Sequence, residues 1–462
     1  MDITEIVKGG DERIMLGENG LNKYHVNPLD YENTFNRGSC TCSLLTKDSE
    51  KAINKLIKKL GSQDYNDVLD TQQLRLKKFI NYLNQDKFDV FYAPSGSDLC
   101  YYPIMFSRIM YPEKEIYNLL TCPEELGSGS NIANNGKYYF NINQFGEKVP
   151  YGELIHPDIH IKQKTFSARD KEGNINNHKQ SIINTIEENQ GKDHIIANLV
   201  IGSKSGIIDN ISIIPHADEK SFWVIDVCQL RATKKLINSL LNLNCMVMIT
   251  GSKFYQSPPF CGALLVPKTI TKQLTTITDK AVEPFLKIFS SMDIPSCLPK
   301  LKAKFRENEN FGTLFRWEAA ISEMELLTYF GEDTVASAVN RWNAFVVSQL
   351  QFNSDYFELM PDQHRTNRSI ISFSVKKPGE SLLNDVELRE LFMKICTSER
   401  TDFGNYKKII IGQPVKYENK SFIRLALGSY NVRNLLANNF NFKNDEKLIQ
   451  IIIKEIRELF WK

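Results

Sequence analysis

Apolar residues recur along this chain in two rhythms. In "SEKAINKLIKKLG" and "DTQQLRLKKFINYLN" they fall three or four apart, which predicts two amphipathic helices. Beyond them the pattern changes to short, nearly continuous apolar runs. Asp89–Ala93 predicts a strand, a Ser-Gly-Ser turn follows, and an apolar helix is expected from about Asp98. "EIYNLLTC", "HIIANLVIG", "FWVIDVCQ", "CMVMITG" and "CGALLVP" predict further strands, and such unbroken Val/Ile/Leu runs are expected of strands covered on both faces. "HPDIHIKQKTFSARDKEGNIN" alternates around a Glu-Gly turn and predicts a hairpin. Strands interspersed with helices predict an α/β layered fold.

Between about 315 and 350 the pattern is helical, interrupted at Gly331. After it, strands ("SIISFSV", "KKIIIGQPV", "SFIRLALG") mix with helices ("VELRELFMKIC", "DEKLIQIIIKEIRELFW"), predicting a small α+β unit. The last helix carries an apolar stripe, expected to pack on that unit rather than to anchor in a membrane. The opening residues are polar and irregular and read as an arm packed on the main body. The expected division is an arm at 1–60, a large domain at 61–330 and a small C-terminal domain at 331–462.

Composition narrows the class without naming it. At 462 residues, two or three domains are expected. The net charge of +2 gives no global electrostatic case for nucleic acid or an anionic membrane. Nine cysteines occur without CxxC pairs, as expected of reduced, mostly buried thiols. With no apolar run approaching the ~18–20 residues of a spanning helix and no signal-like start, a cytoplasmic location is expected.

Three elements carry chemistry. Asp226 closes the apolar run "VID", where a buried carboxylate is costly unless a cation answers it. Alone, it reads as a cap or a surface turn. Gln229 follows three residues later, and Lys253 comes 27 positions after Asp226, beyond another predicted strand. Neighbouring parallel strands open onto one crevice, which puts Asp226 and Lys253 within reach of each other. In "YAPSGSDLC", a strand runs into a small-residue turn before a helix. There the backbone amides, with Ser95, Gly96 and Ser97, form an anion site, although a plain capping turn has the same look. A phosphate cradle, an acid and a lysine are the parts that hold pyridoxal phosphate: the lysine forms an imine with its aldehyde and the acid keeps its ring nitrogen protonated.

In these residues the chain resembles the fold-type-I pyridoxal-phosphate enzymes, specifically the aminotransferase class V group that includes the cysteine desulfurases. That group carries D-x-x-Q and, some two dozen residues on, S-G-H-K-x-Y-G-P…G-x-L. Here "DVCQ" and "TGSKFYQSPPFCGALLV" are similar, with Ser252 in place of the histidine. "SGSD" (95–98) resembles the group's phosphate turn, and "RLALGSYNV" (424–432) its R-x-S-x-x-x-Y-N-T.

The resemblance implies a mostly parallel seven-stranded sheet in the large domain, a smaller α+β domain, pyridoxal phosphate as cofactor and a homodimer acting on an amino acid or other small amine. It implies that Lys253 is the Schiff-base lysine and general base and that Asp226 faces the pyridinium nitrogen. Gln229 would serve the ring hydroxyl oxygen. Ser95, Gly96, Ser97, Thr250 and Ser252 would serve the phosphate, and Arg424 the substrate carboxylate. Transamination leads, with C–S lyase or desulfurase-like chemistry, decarboxylation, or a non-catalytic protein of this fold as alternatives.

Three departures stand out. No histidine occupies the ring-stacking region "TCPEELGSGSN", where Glu124 or Glu125 falls nearest. The nearest candidate for a desulfurase cysteine is Cys396, in a helical pattern expected to be core. Asn198 is the nearest match to the group's asparagine, one residue out of spacing. "GSKSG" (202–206) and "GSGSN" (127–131) are further Gly/Ser turns that would suit phosphate, the latter, as the resemblance implies, that of a partner subunit's cofactor. His156 and His160 lie four apart but in a strand-like setting, and read as ordinary histidines.

Overall fold

The run "FDVFYA" is apolar or aromatic except at Asp89, and it forms a strand buried along its whole length, with Asp89 answered by Thr271 Oγ1 at 2.7 Å and Lys77 at 3.6 Å. In the computed structural model, which describes residues 1–81, 83–216, 221–361, 369–379, 381–417 and 420–461, twelve strands build two sheets. They are β1 (Thr34–Arg37), β2 (Phe88–Ala93), β3 (Ile116–Thr121), β4 (Ile161–Phe166), β5 (His194–Val200), β6 (Phe222–Asp226), β7 (Met246–Thr250), β8 (Gly262–Pro267), β9 (Phe357–Leu359), β10 (Ile370–Val375), β11 (Lys408–Val415) and β12 (Phe422–Ala426).

The large sheet has seven strands in the order β2-β8-β7-β6-β5-β3-β4. All its pairs are parallel except those of β8, which runs antiparallel to both β2 and β7. This is the mostly parallel seven-stranded sheet the sequence predicted. Strands β2, β5, β7 and β8 are buried at every residue, as unbroken apolar runs covered on both faces require. One cover is the helix Phe311–Thr328, whose Trp317 stacks on Tyr92 of β2 with ring centroids 5.2 Å apart. The helices Lys47–Leu60 and Tyr65–Ile80 pack on that helix in turn. The opposite face is covered by Tyr101–Met110 and the segments around Phe285, Phe289 and Phe305.

The second sheet has five strands, β1-β11-β12-β10-β9. Asp385–Thr397 packs on β11, and the final helix, Lys443–Phe460, buries Leu448, Ile449, Ile452 and Ile456 beside it. That helix places its apolar stripe against protein, and among the described residues no helix is long and apolar enough to cross a membrane.

Two expectations are corrected. The segment around residues 156–176 is no hairpin. Ile161–Phe166 is an edge strand parallel to β3, and the Glu-Gly turn closes a single bridge between Arg169 and Ile175. Only Phe166 of this edge strand is buried, so polar residues are tolerated along it as in a hairpin arm. The opening segment is also more than a packed arm, because its "TFNR" joins the C-terminal sheet as β1, parallel to β11. Arg37 then pairs with Asp445 of the last helix at 2.6 Å, both side chains nearly inaccessible, and Trp342 Nε1 donates to the same carboxylate at 2.9 Å.

Candidate active site

At the end of β2 the chain turns sharply. Asp98 folds back, and Ser95 donates to its Oδ2 from both the amide (2.9 Å) and the hydroxyl (2.8 Å). Burial, reinforced by the charge of Asp11, pushes the Asp98 carboxyl up to about 7. With Ser95 satisfied this way, the amides of Gly96 and Ser97 have no acceptor among the described residues. They sit just before the 3-10 turn Asp98–Cys100 and the helix Tyr101–Met110, where free N–H groups favour an anion. Gly96 permits a close approach: a Cβ there would lie 2.9 Å from Thr250 Cγ2 and 3.1 Å from Cys228 Sγ. The fold thereby brings together three segments of the candidate site. Ser97 Oγ also faces Ser130 Oγ at 3.3 Å.

Asp226 ends β6 and Thr250 ends β7, its parallel neighbour. One Asp226 oxygen accepts from the Cys228 amide at 2.8 Å. The Cys228 thiol is pushed well up by burial and then by Asp226, while Lys253 pulls it back down, so acid, thiol and lysine share one neighbourhood. Lys253 lies on the connection from β7 to β8, and no described residue offers its amine a carboxylate within 4 Å. Its backbone is fixed on several sides. Gln256 N donates to Lys253 O at 3.1 Å, Ser429 N to Phe254 O at 2.6 Å, and Ser43 Oγ to Lys253 O at 3.4 Å. Gly251 is required here, because a Cβ would meet Ala320 Cβ at 2.3 Å.

The polar atoms left over point to a bound group. Ser252 Oγ is buried with no partner, and so is Gln229 Oε1, although Gln229 Nε2 donates to Cys40 O at 3.0 Å. Buried orphans of this kind cost about 1–3 kcal/mol each unless something answers them. Thr250 Oγ1 is occupied, donating to Cys228 O at 2.6 Å, so in this arrangement it offers a lone pair rather than a proton. Free amides, an orphaned hydroxyl, an acid on the next strand and an unpaired lysine fit a phosphorylated aldehyde with a basic ring.

Arg424 of β12 reaches the same crevice from the small sheet. It is 1% exposed and has no carboxylate partner among the described residues. Its guanidinium donates to Gln413 O at 2.9 and 3.2 Å, Thr41 Oγ1 at 2.9 Å and Lys204 O at 3.5 Å. Asn431, of the "YN" pair, accepts from Gly428 N at 2.9 Å and donates its own amide to Gln256 Oε1 at 3.1 Å. The Arg424 segment and the Lys253 loop are thus tied together.

The structure also relocates several residues. Glu125 is fully buried and is no ring-stacking group. Its carboxylate accepts from Arg169 Nε (3.0 Å), Ser203 Oγ (2.5 Å), Ser205 N and Oγ (2.9 and 2.6 Å) and Tyr417 OH (2.9 Å). Those bonds occupy the Ser203 and Ser205 hydroxyls, so "GSKSG" does not offer them to a phosphate. Glu124 points away as well, accepting from Ala168 N at 3.1 Å. Asn198 faces the sheet interior, where it donates to Asn118 Oδ1 and Leu119 O. Cys396 is core, as expected.

The opening arm supplies residues that the sequence did not single out. Arg13, paired with Asp11 at 2.7 Å, donates to Ser95 Oγ and Ser128 Oγ, both at 3.3 Å. Thr41 and Ser43 meet Arg424 and Lys253. A D-x-R step in an irregular stretch was the signal available, and it is a common one. A cavity of about 540 Å³ lies next to this site rather than in it, against Leu230, Arg231, Phe254, Leu327 and Val335. Among the described residues no cluster of His, Cys, Asp or Glu is suited to a metal ion.

No family model matches the chain, and no curated protein does. Solved structures do. A phosphoserine aminotransferase from Cytophaga hutchinsonii is 14% identical with a TM-score of 0.52, covering 87% of this chain and 97% of that one. A cysteine desulfurase from Thermococcus onnurineus is 12% identical with a TM-score of 0.54, covering 88% and 94%. An Oryza sativa protein named TDC, solved with PLP, is 10% identical with a TM-score of 0.55, covering 92% and 83%. The chain has fold type I of the pyridoxal-phosphate-dependent transferases. At these identities the likeness speaks for the fold.

Proposed function

We propose that this protein is a pyridoxal-phosphate-dependent enzyme acting on an amino acid, most nearly of the aminotransferase class V kind. One observation carries the reading. Lys253, on the β7–β8 connection, has no carboxylate within 4 Å among the described residues, and both it and Asp226 act on the thiol of Cys228, which lies against the turn at Gly96. When bound, the cofactor supplies an electron-withdrawing ring that stabilises negative charge at the substrate α-carbon.

The chain does the rest. The Gly96 and Ser97 amides, with the hydroxyls of Ser97 and Ser252, would hold the phosphate, while Ser95 and Thr250, whose hydroxyl protons go to Asp98 and Cys228 O, would shape the turn around it. Asp226 keeps the ring nitrogen protonated, and Gln229 meets the ring hydroxyl oxygen. Lys253 would hold the cofactor at its aldehyde carbon, and its free amine would take and return a proton at the substrate α-carbon. Arg424 grips the α-carboxylate, for which a guanidinium fork is the matching shape. On this reading residues 1–60 are the arm, 61–330 the cofactor domain and 331–462 the small domain, whose sheet β1 completes. A cytoplasmic homodimer is the form we expect.

The test is cofactor uptake. Purified protein should take up pyridoxal phosphate, show a visible absorbance band, and after borohydride treatment carry the cofactor on the peptide containing Lys253. Protein that takes up none would overturn the reading. Products then separate the chemistries: a keto acid and an aminated acceptor for transamination, carbon dioxide for decarboxylation, sulfide or pyruvate for lyase action. Cys396 lies buried in the helix Asp385–Thr397, which weighs against a desulfurase using that cysteine.

A further inference from the structure

The loop Gly202–Gly206 is short, and each of its three central residues is bonded to Glu124 or Glu125. Ser203 and Ser205 turn inward to the Glu125 carboxylate, at 2.5 and 2.6 Å. Lys204 lies between them, its amide tied to Glu125 O at 3.0 Å. The anchor is strong: Glu125 is locked by Arg169, and Tyr417 of the small-sheet side closes over it. The network that occupies Glu125 therefore serves to present Lys204.

Lys204 has no matching anion. Its Nζ donates to Glu124 O at 3.1 Å, and no carboxylate of the described residues comes within 4 Å. Its carbonyl accepts from Arg424 Nη1 at 3.5 Å, so the two cationic residues are in direct contact. Burial first, then the charges of Arg424 and Lys253, push the Lys204 amine down to about 7, while Glu125 and Cys40 pull the other way. Three cations thus converge on one crevice, and the one carboxylate beside Lys204, that of Glu125, is already taken by Arg169. The α-carboxylate of an amino acid would answer Arg424 and leave Lys204 unanswered.

We propose that Lys204 receives a second anionic group, so that the substrate is an amino acid with a negatively charged side chain. This rests on the cofactor reading above and names the substrate class of that same site. A carboxylate and a phosphate share the required chemistry. Asparagine and glutamine share the shape of their acids without the charge, which makes them the controls.

The experiment uses cofactor-loaded protein, with loading first verified by the borohydride-trapped Lys253 peptide. Dissociation constants are read from the spectral change with aspartate, glutamate, O-phosphoserine, asparagine and glutamine. At least one acidic ligand should bind about tenfold or more tightly than its neutral counterpart. Aspartate or glutamate leading identifies a carboxylate, and O-phosphoserine leading a phosphate. Lys204→Gln should remove that preference while leaving the neutral ligands within about threefold, and Lys204→Arg should retain it.

The sign with pH is fixed by which form binds. Only the ammonium form attracts the anion, so the acid-over-amide preference should be full below pH 7 and shrink as pH rises through it, with no such slope in Lys204→Gln. The Asp/Asn ratio cancels titrations common to both ligands. The proposal fails if no acidic ligand is preferred, or if Lys204→Gln weakens acid and amide alike. It also fails if Lys204→Gln loses cofactor instead, which would assign the lysine to the cofactor. Failure of the wild type to load at all is a separate result and removes the cofactor reading beneath it.

Discussion

The two ends of the crevice attract anions by different means. At the turn 95–98 the donors are neutral: main-chain amides and hydroxyls, with the one nearby guanidinium, Arg13, already balanced by Asp11. At the other end are whole charges, Lys204 and Arg424, with no balancing carboxylate among the described residues. Dipoles fixed by the backbone suit a group that arrives once and stays. Unbalanced charges suit a ligand that must come and go, because each departure restores a site ready to attract the next. The two ends are built to do different jobs although both favour negative charge.

The largest effect belongs to the residue between them. Lys253→Ala should abolish the borohydride-stable attachment entirely while leaving the neutral end able to hold the cofactor loosely by its phosphate, as equilibrium dialysis would show. Glu125→Gln attacks the charged end through its foundation. It leaves Arg169 buried without its partner, and removing one member of a buried pair costs about 3–5 kcal/mol, measurable by denaturant titration. Arg424→Ala should weaken amino-acid binding about 10- to 100-fold, the worth of charge-assisted hydrogen bonds at about 1.5–3 kcal/mol, with cofactor affinity unchanged. Gly96→Ala does the reverse. Its Cβ would press on Thr250 Cγ2 at 2.9 Å, an overpacking of about 1–3 kcal/mol, so cofactor affinity should fall while the loaded fraction keeps its amino-acid affinity. Asn431→Ala removes the side-chain oxygen that accepts from Gly428 N at the start of the helix Ser429–Ala437 and should cost about 1 kcal/mol in a thermal melt, as the loss of a helix cap does, while the main-chain bond to Gln256 stays. Equal damage to both affinities from Gly96→Ala or Arg424→Ala would show that the ends are not separable.

Much of the neutral end was legible in the sequence. Strands covered on both faces are largely apolar, so β5, β6, β7 and β8 announced themselves, and the polar residues Asp226 and Thr250 that end β6 and β7 mark the crevice. Lys253, Asp226 and the 95–98 turn followed from order and spacing. The charged end was harder to read. Glu125 looked like a free acid in a polar stretch, because the partners that occupy it come from 44 to 292 positions away. Lys204 looked like any lysine in a Gly/Ser turn. β1 was missed because the four residues "TFNR" are too short and too polar to show a pattern although all are buried, and β4 was read as a hairpin arm because an edge strand mixes polar and apolar residues in the same way. Residues such as Arg13 and Thr41 acquire meaning only from what the chain later folds against them.

The pairing of Arg37 with Asp445 joins positions 408 apart in the chain. A ribosome adding roughly 5–20 residues per second needs about 20–80 s to make the second after the first. For that interval β1 has no β11 to lie beside, and Thr41 has no Arg424 to meet. The seven-stranded sheet, by contrast, is complete in sequence by Pro267. During synthesis the neutral end can therefore assemble well before the charged end is complete, and the strand that closes the second sheet is made before the other eleven described strands.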